Sequence, residues 1–130
     1  MGVNSKIYAM IGLNLPYGEE TEKVIAEGLG LNYEEDEDVV YDYFSDKGLT
    51  VNCHKMCHKG TYRFIMDGMN GGYIRLGLVL EEGEVNSPYD FDYFELEKME
   101  KETINHMIKS IFGLDVPIEE IKTFVFTHFS

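Results

Sequence analysis

The stretch that decides the fold is "KIYAMIGLNLP", residues 6–16, in which Ile7, Ala9, Ile11, Leu13 and Leu15 alternate with Tyr8, Met10, Gly12 and Asn14. A period of two is that of a strand, whose successive side chains point to opposite faces. Pro16 and Gly18 end it. In "EETEKVIAEGLGL", residues 19–31, the period changes: Thr21, Val24, Ile25 and Leu29 recur at helical intervals behind an acid-rich first turn that suits the helix dipole. Gly28 and Gly30 are the expected stop. A second short helix is predicted over residues 37–46, with Val40, Tyr43, Phe44 and then Lys47 on one stripe and Asp38, Asp42 and Asp46 on another.

From Leu49 the pattern reads as a meander of strands. "LTVNC" (49–53) and "TYRFIMDG" (61–68) alternate, and "YIRLGLVLEE" (73–82) sends Ile74, Leu76, Leu78 and Leu80 to one face. "DGMNGG" (67–72) supplies the glycine and asparagine of a hairpin turn. A polar and aromatic loop containing Pro88 follows. "LEKMEKETINHMIKSIFG" (96–113) then puts Met99, Ile104, Met107, Ile108, Ile111 and Phe112 on one helical face and ends at a C-cap glycine, Gly113. "IKTFVFTHFS" (121–130) closes as an aromatic strand. The order β-α-α-β-β-β-α-β predicts an α+β fold, one mostly antiparallel sheet with helices packed on one face. At 130 residues the chain reads as a single domain over 1–130, large enough to bury a core of its own.

No uninterrupted apolar run approaches the ~20 residues of a membrane span. The opening "MGVNSKIYAM" carries no basic start, apolar run and cleavage site, so the expected setting is the cytoplasm, with reduced thiols. Charge is the strongest compositional fact: the net charge is −13 and is unevenly spread. Residues 33–46, "YEEDEDVVYDYFSD", hold seven acids and no base, and residues 81–97, "EEGEVNSPYDFDYFELE", hold seven more and no base. Residues 47–75 carry five bases against the single acid Asp67. Such a field repels nucleic acid and attracts the basic surfaces that normally hold it.

Both cysteines and two of the four histidines fall in "CHKMCH", residues 53–58. Thiolate and imidazole are the donors zinc prefers, and either a helical turn or a hairpin would bring several of these four to one ion. Cysteine pairs in zinc knuckles are usually two residues apart with a second pair elsewhere, and this chain has no second pair. Three readings therefore stand side by side: zinc, a reduced turn without metal, and a redox pair whose thiols Lys55 and Lys59 would acidify. Cys53, His54, Cys57 and His58 are the expected ligands of a structural zinc. His106 lies opposite the apolar stripe of its helix and should face water, while His128 alternates with Phe124 and Phe126 and should be a hydrogen-bonded strand histidine. Catalysis lacks its parts: no cysteine-hydrolase signature surrounds residue 53, and no acid lies between Asp46 and Asp67 to serve a zinc hydrolase. "DGMNGG" has no lysine for a phosphate loop, and "DEDVVYDYFSD" lacks the glycine and closing glutamate of an EF-hand.

On a helix, Asp38, Asp42 and Asp46 would stand about 6 Å apart, close to the spacing of phosphates along a strand. In "PYDFDYFELE" the acids alternate with aromatic rings, a pairing that interfaces favour. On these two segments, "YEEDEDVVYDYFSD" and "PYDFDYFELE", the chain resembles the small acidic phage inhibitors of nucleic-acid enzymes, the anti-CRISPR and DNA-mimic proteins. The resemblance implies a non-enzymatic protein that occupies the basic channel of a nucleic-acid-processing protein, such as a CRISPR nuclease. Its contact residues would be Glu34, Glu35, Asp36, Glu37, Asp38, Asp42 and Asp46, with Asp90, Asp92, Tyr93 and Glu95. The competing classes are an assembly protein that pairs through strand edges, and a small zinc or thiol enzyme.

Overall fold

The computed structural model describes residues 5–51, 58–67, 72–84 and 101–129. Strand β1 (Ser5–Pro16) is followed by helices α1 (Glu19–Leu29) and α2 (Val39–Asp46). Strands β2 (Tyr62–Asp67) and β3 (Tyr73–Glu84) come next, then helix α3 (Lys101–Phe112), a 3-10 turn (Ile118–Glu120) and strand β4 (Lys122–Phe129). The fold class is α+β as expected, but the described order is β-α-α-β-β-α-β. Residues 49–51 of "LTVNC" are not a strand; the carbonyl of Leu49 accepts one bond from the Phe64 N–H at 2.8 Å, and no ladder forms there. The four strands make one antiparallel sheet in the order β2-β3-β1-β4.

One face of the sheet carries Ile11, Leu13, Phe64, Ile74 and Leu76, all buried under the helices. Val40 and Phe44 of α2 and Ile104, Ile108 and Phe112 of α3 are buried there too. Phe44 stacks on Phe64 with ring centroids 4.5 Å apart. The buried stripe of α1 differs from expectation: it is Glu22, Ile25 and Ala26, while Val24 is 57% exposed. Gly28 does not stop α1; it lies within the helix, and a Cβ there would stand 1.9 Å from the Gly113 carbonyl oxygen. The absent side chain lets the end of α3 approach backbone to backbone. Gly30 ends α1 instead, at φ 73.

The opposite face is also buried, around Tyr8, Met10, Ile65, Val79 and Phe126. What encloses it follows from the register. β2 pairs with the Tyr73–Leu78 half of β3, and β4 with the Ser5–Gly12 half of β1, so the two edge strands sit at diagonal corners. In a flat sheet Asp67, in line with Pro16, and His128, opposite Lys6, would be more than about 30 Å apart at ~3.3 Å per residue. Yet His128 Nδ1 is within hydrogen-bonding distance of the Asp67 carboxylate. The sheet is therefore coiled until its diagonal corners meet over the second cluster. The coil tightens where Gly12 and Gly77 face each other: a Cβ on Gly77 would lie 2.3 Å from the Ile11 oxygen, and one on Gly12 would lie 2.1 Å from the Leu76 oxygen. A register shift between Ala9 and Met10 adds to the bend. Among the described residues, no helix is long and apolar enough to cross a membrane.

Candidate partner-binding surface

The first acidic segment joins α1 to α2 and runs on through α2. Asparagine and aspartate side chains build its turns: Asn32 Oδ1 accepts the Glu34 N–H at 3.1 Å, and Asp36 Oδ1 accepts the Asp38 N–H at 2.9 Å. Glu34, Glu35, Asp36, Glu37, Asp38, Asp42 and Asp46 are all exposed. Asp38 is the N-cap residue of α2 but makes no side-chain cap bond, and Asp46 is its last residue, where the dipole disfavours an acid. Val40 and Phe44 on the far side of α2 do the packing, so this acidic stripe contributes little to folding.

Behind the stripe lies a cleft of about 600 Å³ between α1 and α2. Five acids line it: Glu19, Glu22, Glu37, Asp38 and Asp42. Tyr17, Tyr33 and Tyr41 form much of the remaining wall, and among the described residues no lysine or arginine lines it. Lys23 stands outside the lining, 2.9 Å from Glu19 and 3.6 Å from Glu34, with its ammonium 5.8 Å from the Tyr33 ring. Glu22 is the unusual member. It sits on the core-facing stripe of α1, 9% exposed, and no donor or cation among the described residues reaches its side chain. Burial pushes its carboxyl above the ordinary range, and Asp38, Glu37 and Glu19 push it further. Burial also raises the Tyr33 phenol, helped by Glu22, Glu19 and Glu37. Of the expected contact residues, Glu37, Asp38 and Asp42 meet at this cleft. Glu19, Glu22 and the three tyrosines were not foreseen.

Cys53, His54 and Cys57, and likewise Asp90, Asp92, Tyr93 and Glu95, lie outside the described residues. His58 is described, and it is fully buried. Its Nδ1 is 3.2 Å from Glu82 Oε2, its backbone N–H donates to Glu82 Oε1, and Lys6 Nζ is 3.5 Å from Oε2. Burial pulls the imidazole pKa down, against the Glu82 carboxylate. A neutral ring that donates Nδ1–H to a carboxylate carries its lone pair on Nε2, the tautomer in which histidine binds zinc. No group of three or more His, Cys, Asp or Glu side chains converges on a metal position among the described residues.

The other two histidines follow expectation. His106 is exposed on α3, and His128 faces inward beside Phe126. Its partner Asp67 also accepts from Arg75 Nη1 at 2.5 Å, and the Arg75 guanidinium lies 4.2 Å from the Phe126 ring centroid. Tyr8 sits between both histidines, with centroids 6.2 Å from His58 and 6.4 Å from His128. Comparison with protein-family models, curated proteins and solved structures finds no match to this chain.

Proposed function

We propose that this chain is a non-enzymatic acidic binding protein that occupies a basic nucleic-acid-binding surface, such as the channel of a CRISPR nuclease, and inhibits it in the cytoplasm. The observation that carries the reading is the acidic face of residues 34–46: seven exposed carboxylates, of which Glu34 alone has a cation at ion-pair distance among the described residues. Their mutual repulsion opposes folding, and a basic partner would relieve it. Long-range attraction would raise the association rate, and the carboxylates would then hold the lysines and arginines that otherwise bind phosphate. The test is a triple reversal, Asp38→Lys, Asp42→Lys and Asp46→Lys. The fold should persist on Val40 and Phe44, while capture of a nucleic-acid enzyme from lysate, seen with the parent at low salt and lost at high salt, should disappear. Equal capture by both proteins would remove this face from the reading.

A structural zinc at Cys53, His54, Cys57 and His58 belongs to the same proposal. Its support is the density of donors and the carboxylate that orients His58. Elemental analysis of protein purified without a histidine tag tests it: about one equivalent of zinc is expected.

A further inference from the structure

We propose that the cleft between α1 and α2 is a socket for a guanidinium group, the side chain of an arginine presented by the protein partner. The inference rests on the reading of the acidic face as a protein-binding surface, and it names the chemistry which that surface grips.

Glu22 is the starting point. Glu22 is nine-tenths buried on the stripe where α1 packs its apolar residues, and the groups that share the cleft with it are four further acids, three tyrosines and Met66, with no cation among the described lining residues. A cationic ligand that reaches inward would offset this burial and the repulsion among the acids. A bare divalent ion does not suit the site. Such an ion draws oxygens into a shell of about 2.0–2.6 Å, whereas no three of the described carboxylates converge on one point and the cleft holds about 600 Å³.

The walls choose among organic cations. Tyr17, Tyr33 and Tyr41 offer flat aromatic area beside the carboxylates. A guanidinium is planar and weakly hydrated, stacks on such rings and gives paired N–H donors to carboxylates, while an ammonium holds its water more strongly. The molecule already uses this arrangement internally: Arg75 lies 4.9 Å from the Tyr73 ring centroid and 4.2 Å from that of Phe126, with Asp67 as its carboxylate.

The test uses the intact chain, labelled with ¹⁵N, and the acetylated, amidated tripeptides Gly-Arg-Gly, Gly-Lys-Gly and Gly-citrulline-Gly. The arginine peptide should shift amides of residues 17–22 and 33–42 saturably and bind roughly tenfold more tightly than the lysine peptide, with no saturable effect from the neutral citrulline peptide. Glu22→Gln should weaken arginine binding by about tenfold or more, whereas Glu120→Gln, an equal charge change on the exposed 3-10 turn, should leave it as in the parent. Equal affinity for the lysine and arginine peptides, or unchanged arginine binding in Glu22→Gln, overturns the socket. The two proposals fail separately. Loss of partner capture in the triple reversal with no peptide binding leaves the acidic face and removes the socket, while peptide binding with capture unaffected by the reversal does the opposite.

Discussion

Replacing Gly77 with alanine should loosen the coil of the sheet, and its cost divides into two parts that separate controls isolate. The first is conformational: Gly77 has φ +145, and positive φ costs a residue with a Cβ about 1–3 kcal/mol. The second is steric, since the new methyl would lie 2.3 Å from the Ile11 oxygen and 2.8 Å from the Gly12 Cα, and forcing backbone apart in a packed sheet costs about 1–3 kcal/mol. Together they reach about 2–6 kcal/mol, a large fraction of the 5–15 kcal/mol typical of a domain. Gly30→Ala isolates the first part, because Gly30 has φ +73 and nothing within 4 Å of its Cβ position. Gly12→Ala isolates the second: its φ is outside the left-handed region, but its Cβ would stand 2.1 Å from the Leu76 oxygen. Urea unfolding followed by far-ultraviolet circular dichroism should show midpoint losses of about 0.5–1.5 M for Gly30→Ala and about 1–3 M for Gly77→Ala, at an m-value of about 2 kcal/mol/M. If Gly77→Ala unfolds at the same midpoint as Gly30→Ala, the backbones of β1 and β3 do not meet at this point and the coiled sheet is wrong.

Leu76, fully buried between the sheet and α3, should cost about 2–5 kcal/mol as Leu76→Ala, with Leu78→Ala costing less because Leu78 is only partly buried; chemical denaturation of both measures the order. Asp67→Asn removes the carboxylate shared by Arg75 and His128 and leaves a largely buried guanidinium, so a loss of about 3–5 kcal/mol is expected, and a melting temperature equal to the parent's would show that this corner of the coil is not closed by charge. Glu22→Gln should raise the melting temperature at neutral pH. With the folded-state pKa raised above 4.5, the native protein binds the proton more readily than the unfolded chain, so the carboxyl's contribution is fully present below 4.5 and is lost as pH rises through the folded value. The advantage of Gln over Glu should therefore vanish near pH 4 and grow towards pH 7, and a pH-independent difference would contradict the burial of Glu22.

The residues that were legible in the sequence are those whose partners are local. β1 could be read from its alternation, α3 from Ile104, Ile108 and Phe112, and the αL stop at Gly113 from its place after an apolar stripe. Where a pattern was short or symmetric, tertiary contacts decided. Three residues of "LTVNC" alternate, but alternation over so few positions describes any extended segment, and among them only Leu49 has a backbone bond to β2, while the Thr50 carbonyl accepts from the Arg63 side chain. Both faces of β1 are apolar, so its period could not tell that the second face is enclosed; that depends on Gly12 meeting Gly77 and on Asp67 reaching His128 across the sheet.

The rotation of α1 was ambiguous for a similar reason. The stripes Thr21, Val24, Ile25, Leu29 and Glu22, Ile25, Ala26, Leu29 share two of their four members, and hydrophobicity favours the one with valine. The structure takes the other, turning Val24 outward and Glu22 inward. A rotation chosen for packing alone would bury the valine, whose transfer from water is favourable, and expose the glutamate, whose burial is not. A buried carboxylate held against that preference is the strongest physical reason to look for the cation that completes it, and the pattern of α1 could not have pointed to it, because Glu37 and Asp38, which join Glu19 around Glu22, are brought there by the segment that leads into α2.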